Sequence, residues 1–223
     1  FFGEDLKRQK LKFPEVADPE PIFYELNNEE NEIFNKTIEL IIKKFNYARY
    51  TPMLYYKGKI TQPEELAQKN MGKFMKILLV KRLESSFYAF KNTLHRFISS
   101  YEQFIKEFGN GNVYVSKKYT YKLFEFLEND NDEAIQRLID EEKAQRYDAK
   151  DFTKEFKKKL ESDLRVLREI SKLWGNIKRD PKLLKFIDVL SSRTILKDNK
   201  IIIFTESKET AEYVGRNLQS KFP

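Results

Sequence analysis

Val80, Leu83, Phe87, Phe90, Leu94, Phe97, Tyr101, Phe104 and Phe108 follow one another at alternating steps of three and four residues. A helix turning every 3.6 residues carries such a set on one narrow face, and a seam of this kind is what lets one helix lie along another. The spacing predicts a continuous helix that stops at Gly109 and Gly111 in FGNGN, where glycine ends a helix readily. At 1.5 Å per residue that helix would be about 42 Å long, a rod that few compact domains need.

A second stripe supplies a partner. Phe152, Phe156, Leu160, Leu164, Leu167, Ile170, Trp174 and Ile177 repeat at helical spacing before Gly175 and Pro181 weaken the pattern. The two long helices are expected to pack antiparallel, as a protruding hairpin or bundle. Between them, YTYKLFEFLEN and DEAIQRLIDEEKAQR read as shorter helical segments. The expected fold is therefore mainly α, with 40% hydrophobic and 14% aromatic residues ample for a core.

The ends differ from this middle. Pro14, Pro19 and Pro21 make residues 1–27 an extended arm, within which Ile22–Leu26 could form a short strand. Asn27 or Asn28 then caps a helix whose first turn holds Glu29, Glu30 and Glu32. Its apolar positions are Phe34, Ile38, Ile41, Ile42 and Phe45. YARYTPMLYYKGKITQPEEL reads as a connecting loop broken by Pro52, Gly58 and Pro63. Near the other end, Asp180 and Pro181 open a helix in DPKLLKFIDVLSS. KIIIFTESKET follows, a short apolar run that reads as a strand buried on both faces, and then a helix over 208–219. Helix, strand, helix is the grammar of an α/β domain, so a short α/β piece is expected at 180–223.

Several chemistries are excluded. There is no cysteine, hence no disulfide or thiolate metal site, which suits a cytoplasmic protein. One histidine, His95, cannot build a histidine metal site and reads as a partly exposed structural residue. No stretch reaches the roughly 20 apolar residues of a membrane span. Neither glycine-rich phosphate-loop pattern occurs. NDEAIQ at 131–136 mimics an acidic magnesium box, but polar residues precede it where a buried strand is required, so it reads as an acid-rich helix start. Glu128, Asp130, Asp132 and Glu133 lack the glycine and spacing of a calcium loop. The chain opens on FFGEDLKRQK, with neither an initiator methionine nor a signal-peptide layout, and is expected to be a piece of something longer.

A net charge of +7 favours a polyanionic partner modestly. Residues 73–96 hold Lys73, Lys76, Lys81, Arg82, Lys91 and Arg96 against the single acid Glu84, with Ser85 and Ser86 beside them. Cations and hydroxyls on one helix can track a phosphate backbone. They can equally be the solvated outer face of a coiled coil, and pattern alone favours that second reading.

DPKLLKFIDVLSSRTILKDNKIIIFTESKETAEYVGRNLQ resembles the opening of the second motor lobe of bacterial Swi/Snf-type superfamily 2 helicase-like ATPases. Asp180, Lys182, Leu183, Lys200, Ile203, Phe204, Thr205, Thr210 and Leu218 fit that pattern. LKFPEVADPEPIFYEL, FNYARYTPMLYY and LLVKRLESSFYAF resemble the region such proteins carry between their two RecA-like lobes, so the likeness spans essentially the whole chain. It implies an extended arm at 1–27, a helical inter-lobe region at 28–179 and the start of the second lobe at 180–223. It also implies an intact parent that binds ATP and magnesium between its lobes and moves along DNA, expected to be double-stranded. This chain itself is expected to hold no catalytic, cofactor or metal residue and to be inactive alone. Thr205, Glu206 and Ser207 match a motif that touches the nucleic-acid backbone in related motors, and a hydroxyl beside free helix N–H groups suits that task. Ser207 also reads as a simple helix cap. With Lys81, Arg82 and Arg96 they form the expected nucleic-acid-binding set.

The rival expectation is a stand-alone helical module that binds another protein through its aromatic helices. Under either reading, the Ile201–Phe204 strand needs neighbours. It is expected to pair with NVYV, to pair with a second copy of the chain, or to be poorly ordered.

Overall fold

The computed structural model describes residues 18–116, 144–193, 200–205 and 207–222. These residues are mainly helical, with one small antiparallel sheet. The arm's residues 1–17, the expected helices between 117 and 143, and Glu206 lie outside the described residues, as do the acid-rich sequences at 128–136.

Helix α1 (Asn28–Glu39) begins at Asn27, whose side chain accepts from the Glu30 N–H at 2.8 Å while the Glu30 carboxylate accepts from the Asn27 N–H at 2.9 Å. This reciprocal box satisfies two otherwise orphaned donors. The preceding residues Ile22–Leu26 form no strand, a correction to the strand expected there. The helix runs on through one wider π-turn at Leu40–Lys44. Tyr47 then adopts a left-handed backbone (φ 61°), unusual for an aromatic residue, and its hydroxyl donates to the Ile41 carbonyl.

Helix α2 (Gln62–Ser85) starts earlier than the loop reading allowed. Thr61 and Glu64 form a second capping box, and Pro63 lies in the first turn, where its missing N–H costs nothing. The same proline that reads as a loop breaker thus opens a helix. Helix α3 (Phe87–Gly109) continues the aromatic seam. The expected single rod is corrected here: Ser86 stands between α2 and α3 with an extended backbone (φ −160°, ψ 149°). Its Oγ accepts from the Ala89 N–H at 3.0 Å and so caps α3. The apolar steps of three and four pass across this break unchanged, which is why periodicity does not reveal it.

Gly111 takes φ 87°, and its carbonyl accepts from the Ala149 N–H as the chain enters β1 (Asn112–Ser116). β1 pairs antiparallel with β2 (Ala144–Asp148), with Val113 opposite Tyr147 and Val115 opposite Gln145. Two expectations are corrected by this pair. Residues 144–146 are strand, not the end of a helix, and NVYV is occupied by β2 instead of by Ile201–Phe204. Val113 and Val115 are buried while Tyr114 is exposed, and that alternation, with a partner strand in register, overrides the helical preference of the second segment.

Helix α4 (Lys154–Gly175) buries the second stripe, and it meets α3 in reverse order. Phe87 and Phe90 touch Trp174, Tyr101 reaches Asp163, and Phe104 and Phe108 touch Phe156. Helix α5 (Pro181–Ser192) is capped by Asp180, whose carboxylate accepts from the Leu183 N–H at 3.0 Å. Helix α6 (Lys208–Lys221) starts at Ser207.

The core is one aromatic-rich cluster drawn from α1, α2, α3, β1 and α4. Residues 201–205 stand apart from it. They form no strand, and Ile202 and Phe204 are 79% and 90% exposed, which overturns the buried strand expected there.

Candidate nucleic-acid interface

The break at Ser86 brings distant sequence together. Ser86 caps α3, Asp180 caps α5 and Ser207 caps α6, and the three caps lie around one neighbourhood. The Thr210 hydroxyl is 2.9 Å from Ser85 Oγ and 3.1 Å from Ser86 Oγ, so α6 is joined by hydroxyls to the α2–α3 break. Ser207 is 1% exposed and accepts from the Thr210 N–H at 3.2 Å. Its cap role is therefore visible. Thr205 is exposed, and its Oγ accepts from the Ser207 N–H at 3.3 Å.

A cavity of about 580 Å³ opens beside these caps. Lys81, Lys182 and Lys185 line it together with Ser85, Ser86, Thr205 and Thr210. Tyr24, Phe186, Ile203 and Phe204 supply apolar wall. Lys182 Nζ donates to the Glu84 carbonyl at 2.8 Å and the Ser85 carbonyl at 3.2 Å, placing a cation on the last carbonyls of α2. Lys185 pairs with Asp188 at 3.0 Å. Tyr213 lies on the same wall, and burial, followed by the nearby Asp180 carboxylate, pushes its hydroxyl well up from the ordinary tyrosine range. Tyr24 is shifted the same way by burial, Asp180 and Glu84.

The six residues expected from sequence therefore divide. Lys81 and Thr205, 124 positions apart, line one cavity. Arg82 is 6% exposed on α2. Arg96 is held by Glu209 through Nη1 at 2.7 Å and Nη2 at 3.0 Å. Ser207 is buried and does not line the cavity, and Glu206 is outside the described residues. Glu209 is partly buried, which works against its charge, but Arg96, Asn92 and Arg82 outweigh this and hold its carboxyl below the ordinary glutamate range. Lys182, Asn92 and Glu209 were not picked out as site residues from sequence. No spacing rule marks them, because each acquires its role from a helix far away in the chain.

The cavity does not fit ATP with magnesium. No glycine lines it, and its acidic lining residues are two carboxylates from different helix ends, Asp180 engaged at the start of α5 and Glu84 exposed at the end of α2. No hydrolytic step is assigned to these residues. Among the described residues, no group of three or more His, Cys, Asp or Glu has the arrangement of a metal site, and no helix is long and apolar enough to cross a membrane. Comparisons with protein-family models, with curated proteins and with solved structures each found no match.

Proposed function

We propose that this chain is the helical inter-lobe region and the start of the second lobe of a DNA-dependent ATPase, and that it grips duplex DNA or couples the lobes of that motor. ATP and magnesium belong to the intact parent, not to this cavity. The observation that carries the reading is the meeting of Lys81 with Ser85, Thr205 and Lys182 on one cavity wall. Hydroxyls and cations gathered at helix ends are the donor set that phosphate oxygens use, and such contacts position a duplex without reading its bases. The antiparallel α3–α4 pair supplies the stiff element that a protrusion needs.

The reading predicts salt-sensitive binding of a fluorescein-labelled duplex by the purified chain. Each phosphate neutralised lowers the logarithm of affinity by about 0.9 per tenfold rise in salt, so two or three contacts give a slope of roughly −2 to −3. Lys81→Ala should weaken binding and flatten that slope by about 1. Absence of any salt-sensitive binding between 50 and 500 mM salt (on the order of the range where such contacts are measured) would overturn it.

One observation favours a second reading, a helical module that binds protein. Ile202, Phe204 and Phe23 are 79%, 90% and 78% exposed, and apolar groups displayed this way mark contact surfaces. Binding to a single protein that persists unchanged in high salt would support that reading instead.

A further inference from the structure

The Glu209 carboxylate sits where an external anion would be expected to sit. Arg96 meets both its oxygens in a fork, at 2.7 Å and 3.0 Å, and Asn92 Nδ2 adds a third contact at 3.3 Å. The Arg82 charge acts on the same carboxylate from α2. Thr93 Oγ1 accepts from Arg96 Nη2 at 3.0 Å and steadies the fork. A planar guanidinium with a neighbouring amide donor and a second cation is the donor geometry that carboxylate and phosphate share.

The element that brings Glu209 there is attached without entering the core. No residue of α6 belongs to the hydrophobic core, and Thr210 is its one buried position. Its other ties run to the α2–α3 break and to α3. Thr210 meets Ser85 and Ser86, Tyr213 stacks on Tyr88 with centroids 4.8 Å apart and planes at 5°, and Arg216 donates to the Tyr88 hydroxyl at 3.0 Å. Elements with little buried apolar surface are the ones that open first, leaving the rest folded. On the other side α6 follows the exposed segment 201–205.

We propose that Asn92 and Arg96, with the Arg82 charge in support, form a recognition site for a phosphate group of a polyanion, and that Glu209 closes this site in cis. Phosphate and carboxylate compete for one guanidinium fork, so binding the first releases α6 from the Ser86 break. The site rests on the nucleic-acid reading above for the identity of its polyanion, and on the geometry alone for its competition with Glu209. Closure by a carboxylate in cis also explains why Arg96 can be both a cation in a basic segment and absent from the cavity wall.

The test uses the full 223-residue chain, with inorganic pyrophosphate and duplex DNA as probes. Amide hydrogen exchange of α6 should quicken in pyrophosphate relative to sodium chloride of equal ionic strength, while α3 and α4 keep their protection. Glu209→Gln should quicken it without pyrophosphate and raise duplex affinity about fivefold or more, the range of a coupling of 1 kcal/mol upward. Glu212→Gln, an equal charge change at an exposed position of α6, should do neither, and Arg96→Gln should abolish the Glu209→Gln gain. Unchanged α6 exchange in pyrophosphate, or equal effects of the Glu209 and Glu212 changes, would overturn the cis closure. If pyrophosphate opens α6 while neither the unmodified chain nor Glu209→Gln binds duplex DNA, the closure stands and the nucleic-acid reading falls.

Discussion

Asp163 is fully buried on α4, and four donors converge on it. The Asn46 N–H and side-chain amide reach Oδ1 at 2.6 and 3.0 Å, and the Ala48 N–H and Tyr101 hydroxyl reach Oδ2 at 2.8 and 3.0 Å. One acid thereby fixes the tight passage from α1 through Tyr47 to Arg49. Burial raises its pKa above the ordinary aspartate value of 3.8, and the donors offset only part of that rise. A raised carboxyl pKa in the fold means that the folded state holds the proton more firmly than the unfolded chain. Its contribution to stability is therefore full below about pH 3.8 and is lost as pH rises through the folded-state value. Asp163→Asn should remove this segment of the pH dependence. It should also cost about 1–3 kcal/mol near neutrality, because an amide nitrogen would face N–H and O–H donors in place of an acceptor. Urea unfolding followed from pH 3 to pH 7 (on the order of the carboxylate titration range) checks both, and equal stability of the variant would show that the network does not hold the segment.

At the scale of elements, the break between α2 and α3 decides more than the helices themselves. Ser86 supplies a cap to α3, and with Ser85 it supplies the hydroxyls that meet Thr210. Ser86→Ala should lower stability by about 0.5–2 kcal/mol, the ordinary cost of a lost N-cap. Ser85→Ala should cost less, since it removes one contact to Thr210 and no cap. Thermal unfolding of the two variants separates these effects, and an equal loss would mean that the cap is dispensable. Neither serine could be assigned this work from the chain alone, because Leu83, Phe87 and Phe90 keep their helical spacing straight through it. The β1–β2 pair carries the same lesson: 144–146 look helical until Tyr114, Val115 and Ser116 meet them in register.

At the scale of the whole molecule, Trp174 is the joint between the first helix and the antiparallel pair. It is fully buried, packs edge-on against Phe87 at 4.6 Å and Phe90 at 5.5 Å, and donates from Nε1 to Thr37 Oγ1 at 2.8 Å. At the far end Phe156 gathers Tyr55, Phe104, Phe108 and Phe152 within 6 Å of its ring centre. Aromatic contacts at both ends tie α3 to α4, and the Trp174–Thr37 hydrogen bond joins α1 to them, so the three are expected to act as one body. Trp174→Phe keeps much of the ring packing and should cost about 1–2 kcal/mol for the unpaired Thr37 hydroxyl and the lost volume. Trp174→Ala should cost about 3–5 kcal/mol and lower the stability of α1 together with α4. Hydrogen exchange resolved by helix would show this, and loss confined to α4 would contradict a single body.

The helical class of this protein, the burial of both aromatic stripes and the caps at Asn27, Asp180 and Ser207 were determined by sequence alone. These features depend on residues within a turn or two of one another, and period and cap chemistry are local. The break at Ser86, the pairing of 112–116 with 144–148 and the exposure of 201–204 were decided only by tertiary structure. Each turns on whether a partner from far along the chain is present: Thr210 for Ser86, β2 for β1, and, among the described residues, no strand for Ile201–Phe204. The candidate site divides in the same way. A basic run and a family resemblance pointed to Lys81, Arg82, Arg96, Thr205 and Ser207, but which of them line a cavity and which are bound by Glu209 depended on where α6 came to rest.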